Sequence, residues 1–297
     1  LRKGKVIKMS MTMINWYPRQ KKKTKDMIKD TIDVIDIVLE IVDARIPMSS
    51  KNPEIKRFAK NKKRLILLNK SDLVGSEELN YWKKYFIDND FADEVVAISA
   101  EKGTNMKVLY QKIDELSKDK IAKQKVKGLL KVSIRLMVAG IPNVGKSRLI
   151  NRIVGKSKAG VGNKPGFTRG KQWVRIKDGL ELLDTPGILW PKFENEEVGM
   201  NLAICGAIKD EILPVEEVAA TFIGRMKELK KEKIFIDNYK LKEEDFTENN
   251  LEILYNVAIR MGMLKKNGYP DTLQAAYKIL REYRSGKLGL FGIEKRS

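Results

Sequence analysis

The sequence of 297 residues contains no histidine and a single cysteine. Without histidine, imidazole catalysis and most zinc sites are excluded. Because Cys205 stands alone, no internal disulfide can form, which fits a reducing compartment such as the cytoplasm. No apolar run approaches the roughly 18–20 residues of a membrane-spanning helix, and the opening LRKGKVIKMS lacks the apolar core of a signal peptide. We therefore expect a cytoplasmic protein with no membrane partner.

Acidic side chains are also in short supply. Lys and Arg number 59 against 39 Asp and Glu, which gives a net charge of +20. The excess lies in residues 1–30 (net +8) and 31–204 (net +10), whereas residues 205–297 carry only +2. Such a field attracts polyphosphate, meaning RNA, DNA or an anionic membrane. The charge favours a nucleic-acid partner, and the alternative is a lysine-rich chain whose charge serves solubility.

Apolar runs alternate with helical patterns in the central part of the chain. Four runs are typical of buried strands, and each precedes a segment with helical spacing: VLEIVDA (38–44), RLILLNK (64–70), EVVAISA (94–100) and IRLMVAG (134–140). Asn52 and Ser76 stand where helix caps are expected. QWVRIK and LELLDT flank Asp178-Gly179, a hairpin signal. This pattern predicts an α/β fold whose mostly parallel sheet has helices on both faces.

The strand signals fade toward the end of the chain, where only helical spacing remains. We therefore predict three parts: a basic arm (1–30), an α/β domain (31–204) and a small all-helical domain (205–297). The lysine-rich segment 117–132 breaks the alternation and is interpreted as a connector or a basic helix.

The segment GIPNVGKS (140–147) matches G-x-x-x-x-G-K-[ST] between a predicted strand and a helix. In such a loop, backbone N–H groups at a helix N-terminus surround phosphate. Gly140 permits the tight backbone path, Lys146 can reach the β- and γ-phosphates, and the Ser147 hydroxyl can ligate Mg²⁺. The predicted phosphate-binding residues are Asn143, Val144, Gly145, Lys146, Ser147 and Arg148.

A second phosphate-side element is LELLDTPG (180–187), a strand that ends in an acid. Asp184 can hold Mg²⁺ through water, and the Gly187 N–H can meet the γ-phosphate. The alternative is a plain strand-ending turn. With Ser147 and Asp184, the best candidate for a third magnesium contact is the switch threonine Thr168 in KPGFTRG, for which an ordinary loop threonine is the alternative.

The run LILLNKSDL (65–73) ends in the shape of a guanine-recognition motif. The Asp72 carboxylate can accept hydrogen bonds from guanine N1–H and the 2-amino group, which adenine lacks, so adenine would leave that charge unpaired. ISAEKG (98–103) supplies a second loop, whose Ala100 N–H can donate to guanine O6. The predicted guanine-binding residues are Asn69, Lys70, Ser71, Asp72, Ser99 and Ala100.

These loops are those of a GTPase in an unusual order, because the base-reading loops precede the phosphate loop. Cutting a standard GTPase after its third strand and joining its old ends gives this order. A permuted chain can build the same sheet, since domain termini usually lie close together at the surface. The sequence therefore predicts a circularly permuted P-loop GTPase domain.

The chain resembles the circularly permuted GTPases, and within them the ribosome biogenesis GTPase A (YlqF/RbgA) group. The resemblance covers most of the chain and, beside the four nucleotide motifs, is carried by NWYP (15–18), DARIPMSSKNP (43–53), PGFTRGKQW (165–173), LLDTPGILWPKFE (182–194) and the tail YRSGKLGLFGIE (283–294). It implies binding of GTP with Mg²⁺ and action in late assembly of the large ribosomal subunit.

The sequence departs from this family at the proposed catalytic group. Members usually continue W-[FY]-P with Gly-His-Met, whereas Gln20 stands here at the histidine position. Gln20 could orient a water but cannot act as a general base. Ile188 follows D-T-P-G where Ras-type enzymes place a glutamine. We expect slow intrinsic turnover that the ribosomal subunit stimulates, with Gln20, Lys146 and Thr168 as the candidate catalytic residues.

Two further patterns leave alternatives open. Asn143 resembles the asparagine that ligates K⁺ in potassium-stimulated GTPases, and a plain turn residue is the alternative. Asp43-Ala44-Arg45 ends a predicted strand beside the nucleotide face, where it could couple a switch to the body or form a structural ion pair.

We predict a GTP-binding and GTP-hydrolysing switch that docks on the precursor of the large ribosomal subunit through rRNA, depending on the bound nucleotide, and that is monomeric. The helical domain is an expected RNA or ribosome contact. An ordinary P-loop phosphotransferase leaves the N-K-S-D and S-A motifs without a role. An RNA-binding module that uses GTP as a structural ligand is the remaining alternative, because of Gln20 and Ile188.

Overall fold

The described residues form one six-stranded sheet surrounded by helices. The computed structural model describes residues 31–129, 132–155, 172–177, 179–184 and 196–296. The strands are β1 (Ile37–Asp43), β2 (Lys63–Asn69), β3 (Glu94–Ala97), β4 (Ile134–Gly140), β5 (Gln172–Lys177) and β6 (Leu180–Asp184). The helices are α1 (Pro47–Ser50), α2 (Pro53–Phe58), α3 (Ser76–Asp88), α4 (Met106–Val126), α5 (Lys146–Val154), α6 (Glu196–Ile204), α7 (Val215–Glu228), α8 (Glu232–Tyr239), α9 (Asn250–Arg260) and α10 (Thr272–Arg284).

The sheet has the strand order β3-β2-β1-β4-β6-β5. The first five strands of that order run parallel, and β5 pairs antiparallel with β6 through the turn at Gly179. All seven residues of β1 are buried, as expected of a central parallel strand covered on both faces. The prediction of a mostly parallel sheet with one hairpin is confirmed.

Strand register brings the ends of four strands to one edge. Asp43 lies opposite Asn69, Ile41 lies opposite Gly140, and Val138 lies opposite Asp184. The last residues of β1, β2, β4 and β6 therefore lie at the carboxyl edge of the sheet. This edge is where open α/β sheets bind ligands.

Helices cover both faces of the sheet, as predicted. On one face, Leu39 and Leu65 belong to a large buried cluster that includes Leu109 of α4 and Leu149 of α5. On the other face, smaller clusters join Ile66 and Leu68 to Trp82 and Phe86 of α3, and Val38 to Ile55 of α2. The large cluster continues into the later helices, where Phe222, Ile279 and Tyr283 are buried.

Two helix starts can be compared with their expected caps. The Asn52 side chain accepts a hydrogen bond from Glu54 N, and Pro53 opens α2, so that cap is confirmed. The expected cap at Ser76 is wrong: Ser76 is the first helical residue of α3, because Gly75 already has the extended backbone (φ −66, ψ 151) that a cap requires.

The lysine-rich segment after residue 116 is the second half of a helix rather than a loop. α4 continues to Val126, with Leu109, Ile113 and Ser117 buried at four-residue spacing and later residues mostly exposed. Among the described residues, no helix is both long enough and apolar enough to cross a membrane.

Candidate nucleotide-binding site

Tight backbone packing shapes the phosphate loop, which joins β4 to α5. A Cβ on Gly140 would lie 2.9 Å from Ile41 O, and one on Gly145 would lie 2.3 Å from Asn69 Nδ2. Gly145 also has φ +99, and Asn143 has φ 59. Both glycines are therefore required by close approach, and Gly145 by its left-handed backbone as well.

The first turn of α5 faces the carboxyl edge of the sheet. Lys146 begins the helix and is 9% exposed, whereas Ser147 and Arg148 are exposed. The N-terminus of a nine-residue helix presents free N–H groups and a partial positive charge. Together with the lysine, this end of α5 can accept a polyphosphate.

Asn69 ties the base-reading loops to the phosphate loop. It ends β2, is 2% exposed, and donates Nδ2 to Val144 O at 2.7 Å. Its Oδ1 accepts from Ala100 N at 2.9 Å. The loops after β2, β3 and β4 thus meet on one buried amide. Because the Ala100 N–H donates to Asn69, a ligand carbonyl at this position would share or replace that hydrogen bond.

Asp72 lies in a short 3-10 turn (Ser71–Leu73) that is held by a hydrogen bond from Ser71 N to Ile98 O. Its Oδ2 is 3.2 Å from Lys102 Nζ. Burial would raise the pKa of Asp72, but hydrogen bonds to Ser99 and Lys102 lower it below its usual value. The carboxylate is therefore ionised at neutral pH and can accept hydrogen bonds from a base edge. Lys102 was not predicted as a site residue, although it lies within the ISAEKG motif.

At the end of β1, the segment Asp43-Ala44-Arg45 contains a buried carboxylate, Asp43, that is contacted by two cations. Arg45 donates Nε and Nη2 to Asp43 at 2.9 and 2.7 Å, and Lys70 Nζ lies 2.7 Å from Asp43 Oδ2. Burial would raise the pKa of Asp43, but Arg45 and Lys70 hold it far below its usual range. Arg45 also donates to Cys205 O at 3.1 Å and lies over the Tyr283 ring at 5.4 Å. The segment is thus both an ion pair and a link to the later helices.

The C-terminal end of α6 receives side chains from three parts of the chain. Arg284 donates to Ala203 O and Ile204 O, each at 2.8 Å, and Arg45 donates to Cys205 O. Asn143 Nδ2, from the phosphate loop, lies 3.3 Å from Gly206 O and 3.4 Å from Ala207 O. We call residues 203–207 the α6 joint. These contacts were not predicted from the sequence, because every residue type has a backbone carbonyl.

The segment after α10 also returns to the sheet. Glu294 accepts hydrogen bonds from Met48 N at 2.5 Å, Ser49 N at 2.6 Å and the Ser49 hydroxyl. Burial raises the pKa of Glu294 to about 7 although these donors lower it. Ile293 N donates to Arg45 O, and Gly292 N donates to Glu78 at the start of α3. The tail segment 292–294 therefore packs against α1, the loop before it and the first turn of α3.

Some predicted site residues cannot be placed. Gln20, Thr168 and Gly187 lie outside the described residues, as does the basic arm 1–30. The backbone of Asp184 ends β6 at the carboxyl edge, next to β4, and its side chain is outside the description. The described part of the site brings together Asn69, Lys70, Ser71, Asp72, Ser99, Ala100 and the phosphate loop.

Comparison with known proteins gives concordant matches over most of the chain. A family model described as "50S ribosome-binding GTPase" matches residues 135–255. The ribosome biogenesis GTPase A of Priestia megaterium is 40% identical over 279 residues, which cover 94% of this chain and 95% of the relative. The ribosome biogenesis GTPase A of Thermotoga maritima is 32% identical over 283 residues, covering 95% and 94% respectively.

Solved structures share the fold. The GNP-bound YlqF from T. maritima matches with a TM-score of 0.62 at 25% identity, covering 92% of this chain and 98% of YlqF. A GDP-bound structure of TM YlqF matches with a TM-score of 0.63 at 24% identity, covering 91% and 98%. The similarity therefore includes the helices that follow the sheet.

Proposed function

The chain belongs to the ribosome biogenesis GTPase A family, and from this premise we propose that it binds GTP at the carboxyl edge of its permuted sheet, hydrolyses it slowly, and acts in assembly of the large ribosomal subunit. The observation that carries the proposal is the bridge through Asn69, which holds the two base-reading loops and the phosphate loop together. A nucleotide that fills this site contacts all three loops at once.

Guanine selectivity falls to Asp72. Its ionised carboxylate accepts hydrogen bonds from N1–H and the 2-amino group, in place of the contact with Lys102. Adenine offers neither donor, and leaving a carboxylate without partners is costly. The stem of Lys70, held at its ammonium end by Asp43, is placed to cover the ring face. Ser71, Ser99 and Ala100 complete the base site.

Phosphate binding falls to the loop of residues 143–148. The backbone N–H groups of this loop and the Lys146 ammonium oppose the negative charge of the β- and γ-phosphates. Ser147 is exposed at the start of α5, and the backbone of Asp184 ends β6 at the same edge of the sheet; hydroxyl and carboxylate oxygens are ligands suited to Mg²⁺, and we propose that these two residues hold it. Thr168 and Gly187 are proposed to join them. Bound Mg²⁺ supplies charge neutralisation for the phosphates.

Turnover is proposed to be slow in the free protein and faster on the ribosomal subunit. Gln20 can orient a water but cannot remove its proton. Lys146 and Thr168 are the other proposed catalytic residues. If Asn143 ligates K⁺, turnover is faster in KCl than in NaCl at matched ionic strength, and Asn143→Ala removes that difference.

Docking is proposed to depend on the nucleotide. The segment between β6 and α6 follows Asp184 directly, so contacts of that segment with the γ-phosphate would act on α6. The α6 joint then carries the displacement to the later helices, since Arg284 of α10 donates to its Ala203 and Ile204 carbonyls. A basic, monomeric protein of this kind grips rRNA in one nucleotide state and leaves it in the other. Co-sedimentation with large ribosomal subunits in GTP-analogue and GDP states, across salt, tests this.

The sharpest test of the site is Asp72→Asn. Xanthine has a carbonyl where guanine has its 2-amino group, so the asparagine amide complements it, and we expect preference to move from GTP toward XTP. Asp90→Asn, an exposed aspartate paired with Lys56 and Arg64, is the matched control and should keep GTP preference. Equal binding of ATP and GTP by the unmodified protein contradicts the proposal.

A further inference from the structure

One side chain of α5 contacts the second base-reading loop (residues 98–103) on the side away from Asn69. Arg152, in the last turn of the helix, donates Nε to Ala100 O at 2.8 Å and Nη2 to Glu101 O at 2.5 Å. Gly103 has φ +81, and a Cβ there would lie 2.5 Å from Arg152 Nη1. The guanidinium therefore lies directly against the backbone of this loop, where only glycine leaves room for it.

The two ends of the helix thus serve different parts of the site. The N-terminal end of α5 carries Lys146 and Ser147, whereas its last turn carries Arg152. Asn69 makes the corresponding inner tie, from Val144 O to Ala100 N. The loop of residues 98–103 is thereby held relative to the phosphate loop by Asn69 on one side and by Arg152 on the other.

A guanidinium is suited to this task because its donors form a rigid planar fork. The carbonyl of Ala100 belongs to the same peptide plane as the N–H of Glu101. By holding the Ala100 carbonyl from the outer side, Arg152 directs the Glu101 N–H to the opposite side, because the C=O and N–H of a trans peptide point in opposite directions. That N–H can donate to an acceptor at the 6 position of a purine, whereas the Ala100 N–H is donated to Asn69 Oδ1.

We propose that Arg152 is a positioning residue for guanine recognition: it orients the backbone N–H of Glu101 toward the purine O6, without contacting the nucleotide. The inference rests on the proposed function and deepens it. It separates two contributions to base selectivity, with the 6-position contact dependent on Arg152 and the 2-amino contact dependent on Asp72.

The test compares the affinity for GTP with that for three ligands: one altered at the 6 position, one that lacks the 2-amino group, and one without a base. Arg152→Met keeps the stem and removes the fork, and the Kd for GTP should rise about three- to tenfold, the effect of about one hydrogen bond. The Kd for inorganic tripolyphosphate should not change. The 6-thio analogue of GTP has a weaker acceptor, so the preference for GTP over it should narrow in the variant. The preference for GTP over ITP, which lacks the 2-amino group, should persist.

Two further variants make the result specific. Arg152→Lys retains one donor and should fall between Arg152→Met and the unmodified protein. Arg64→Met is the matched control, because Arg64 also donates to a backbone carbonyl, Asp90 O at 3.0 Å, but at the opposite end of β2. Arg64→Met should leave the Kd values for GTP, its 6-thio analogue, ITP and tripolyphosphate unchanged.

Unchanged GTP affinity in Arg152→Met would overturn the inference. Equal losses for GTP, its 6-thio analogue and tripolyphosphate would overturn it too, because the arginine would then support the phosphate loop. Failure of the unmodified protein to prefer GTP over ATP would instead refute the proposed function itself.

Discussion

At the scale of single residues, Glu40 is an acid in the middle of the buried central strand β1. It is 5% exposed, and its Oε1 accepts from Asn52 N at 2.7 Å. Burial raises the pKa of Glu40 from 4.5 to about 7, although Lys51 and the Asn52 amide lower it. The folded protein therefore binds this proton more tightly than the unfolded chain. The resulting stabilisation is present below about pH 4.5 and is lost as the pH rises through about 7.

Glu40→Gln removes that pH dependence while keeping an acceptor for Asn52 N. We expect the variant to be more stable than the unmodified protein at pH 8, by on the order of 1–3 kcal/mol, and the difference to shrink toward pH 5. Urea unfolding at both pH values measures it. Glu115→Gln, an exposed position of α4, is the control. A Glu40→Gln effect of equal size at pH 5 and pH 8 would contradict the assignment.

At the scale of elements, the strands could be predicted closely and the helices less so. The apolar run 134–140 predicts β4 to the residue, because a buried parallel strand is apolar on both faces. α6 and α8 were not predicted, since each has only eight or nine residues and α6 is buried nearly all round. The lysine-rich end of α4 was ambiguous because few of its side chains pack.

The site, too, has features that the sequence predicts and features that it does not. Loop motifs such as N-K-S-D and G-x-x-x-x-G-K-S could be read from residue types at fixed spacing, and strand order then brings them to one edge. Contacts such as Arg152 with Ala100 O depend on where a side chain meets a backbone carbonyl, and no spacing in the sequence records that.

Two basic elements are candidate rRNA contacts: the arm (residues 1–30) and the C-terminal end of α4. We expect Lys21, Lys22 and Lys23 replaced together by Ala to flatten the plot of log K for subunit binding against log salt by about 2–3 units. The reason is that each phosphate contact releases a counterion, worth roughly 0.7–0.9 of slope. GTP affinity of the free protein should not change. Binding with a non-hydrolysable GTP analogue across salt measures this.

The matched comparison replaces Lys123, Lys125 and Lys127, at the end of α4, by Ala. If that variant flattens the slope and the arm variant does not, the helix is the contact and our interpretation of the arm is wrong. Collapse of turnover in the arm variant with unchanged binding would assign the arm to catalysis instead.

At the scale of the whole molecule, Arg45 joins the sheet to the helices. Arg45→Met leaves Asp43 buried with Lys70 alone and removes the donor to Cys205 O, so we expect a loss of about 3 kcal/mol in the free energy of unfolding. Hydrogen exchange should also rise in the α6 joint. Arg135→Met, which breaks a half-exposed pair with Glu181, should cost less than about 1 kcal/mol. Equal losses in the free energy of unfolding for the two variants would show that Arg45 does not link the sheet to the helices.

The order of the strands along the chain has a consequence for synthesis. β1 lies inside the sheet and is the first of the described strands to be translated, whereas its neighbour β4 begins only at residue 134. During that interval the nascent chain lacks the β4 partner of a strand whose residues are all buried in the folded protein. The base-reading loops also emerge before the phosphate loop to which Asn69 ties them. The contact of Glu294 with Met48 and Ser49, separated by about 245 residues, forms last. A ribosome making this protein therefore finishes nearly the whole chain before the nucleotide site and its supports can close.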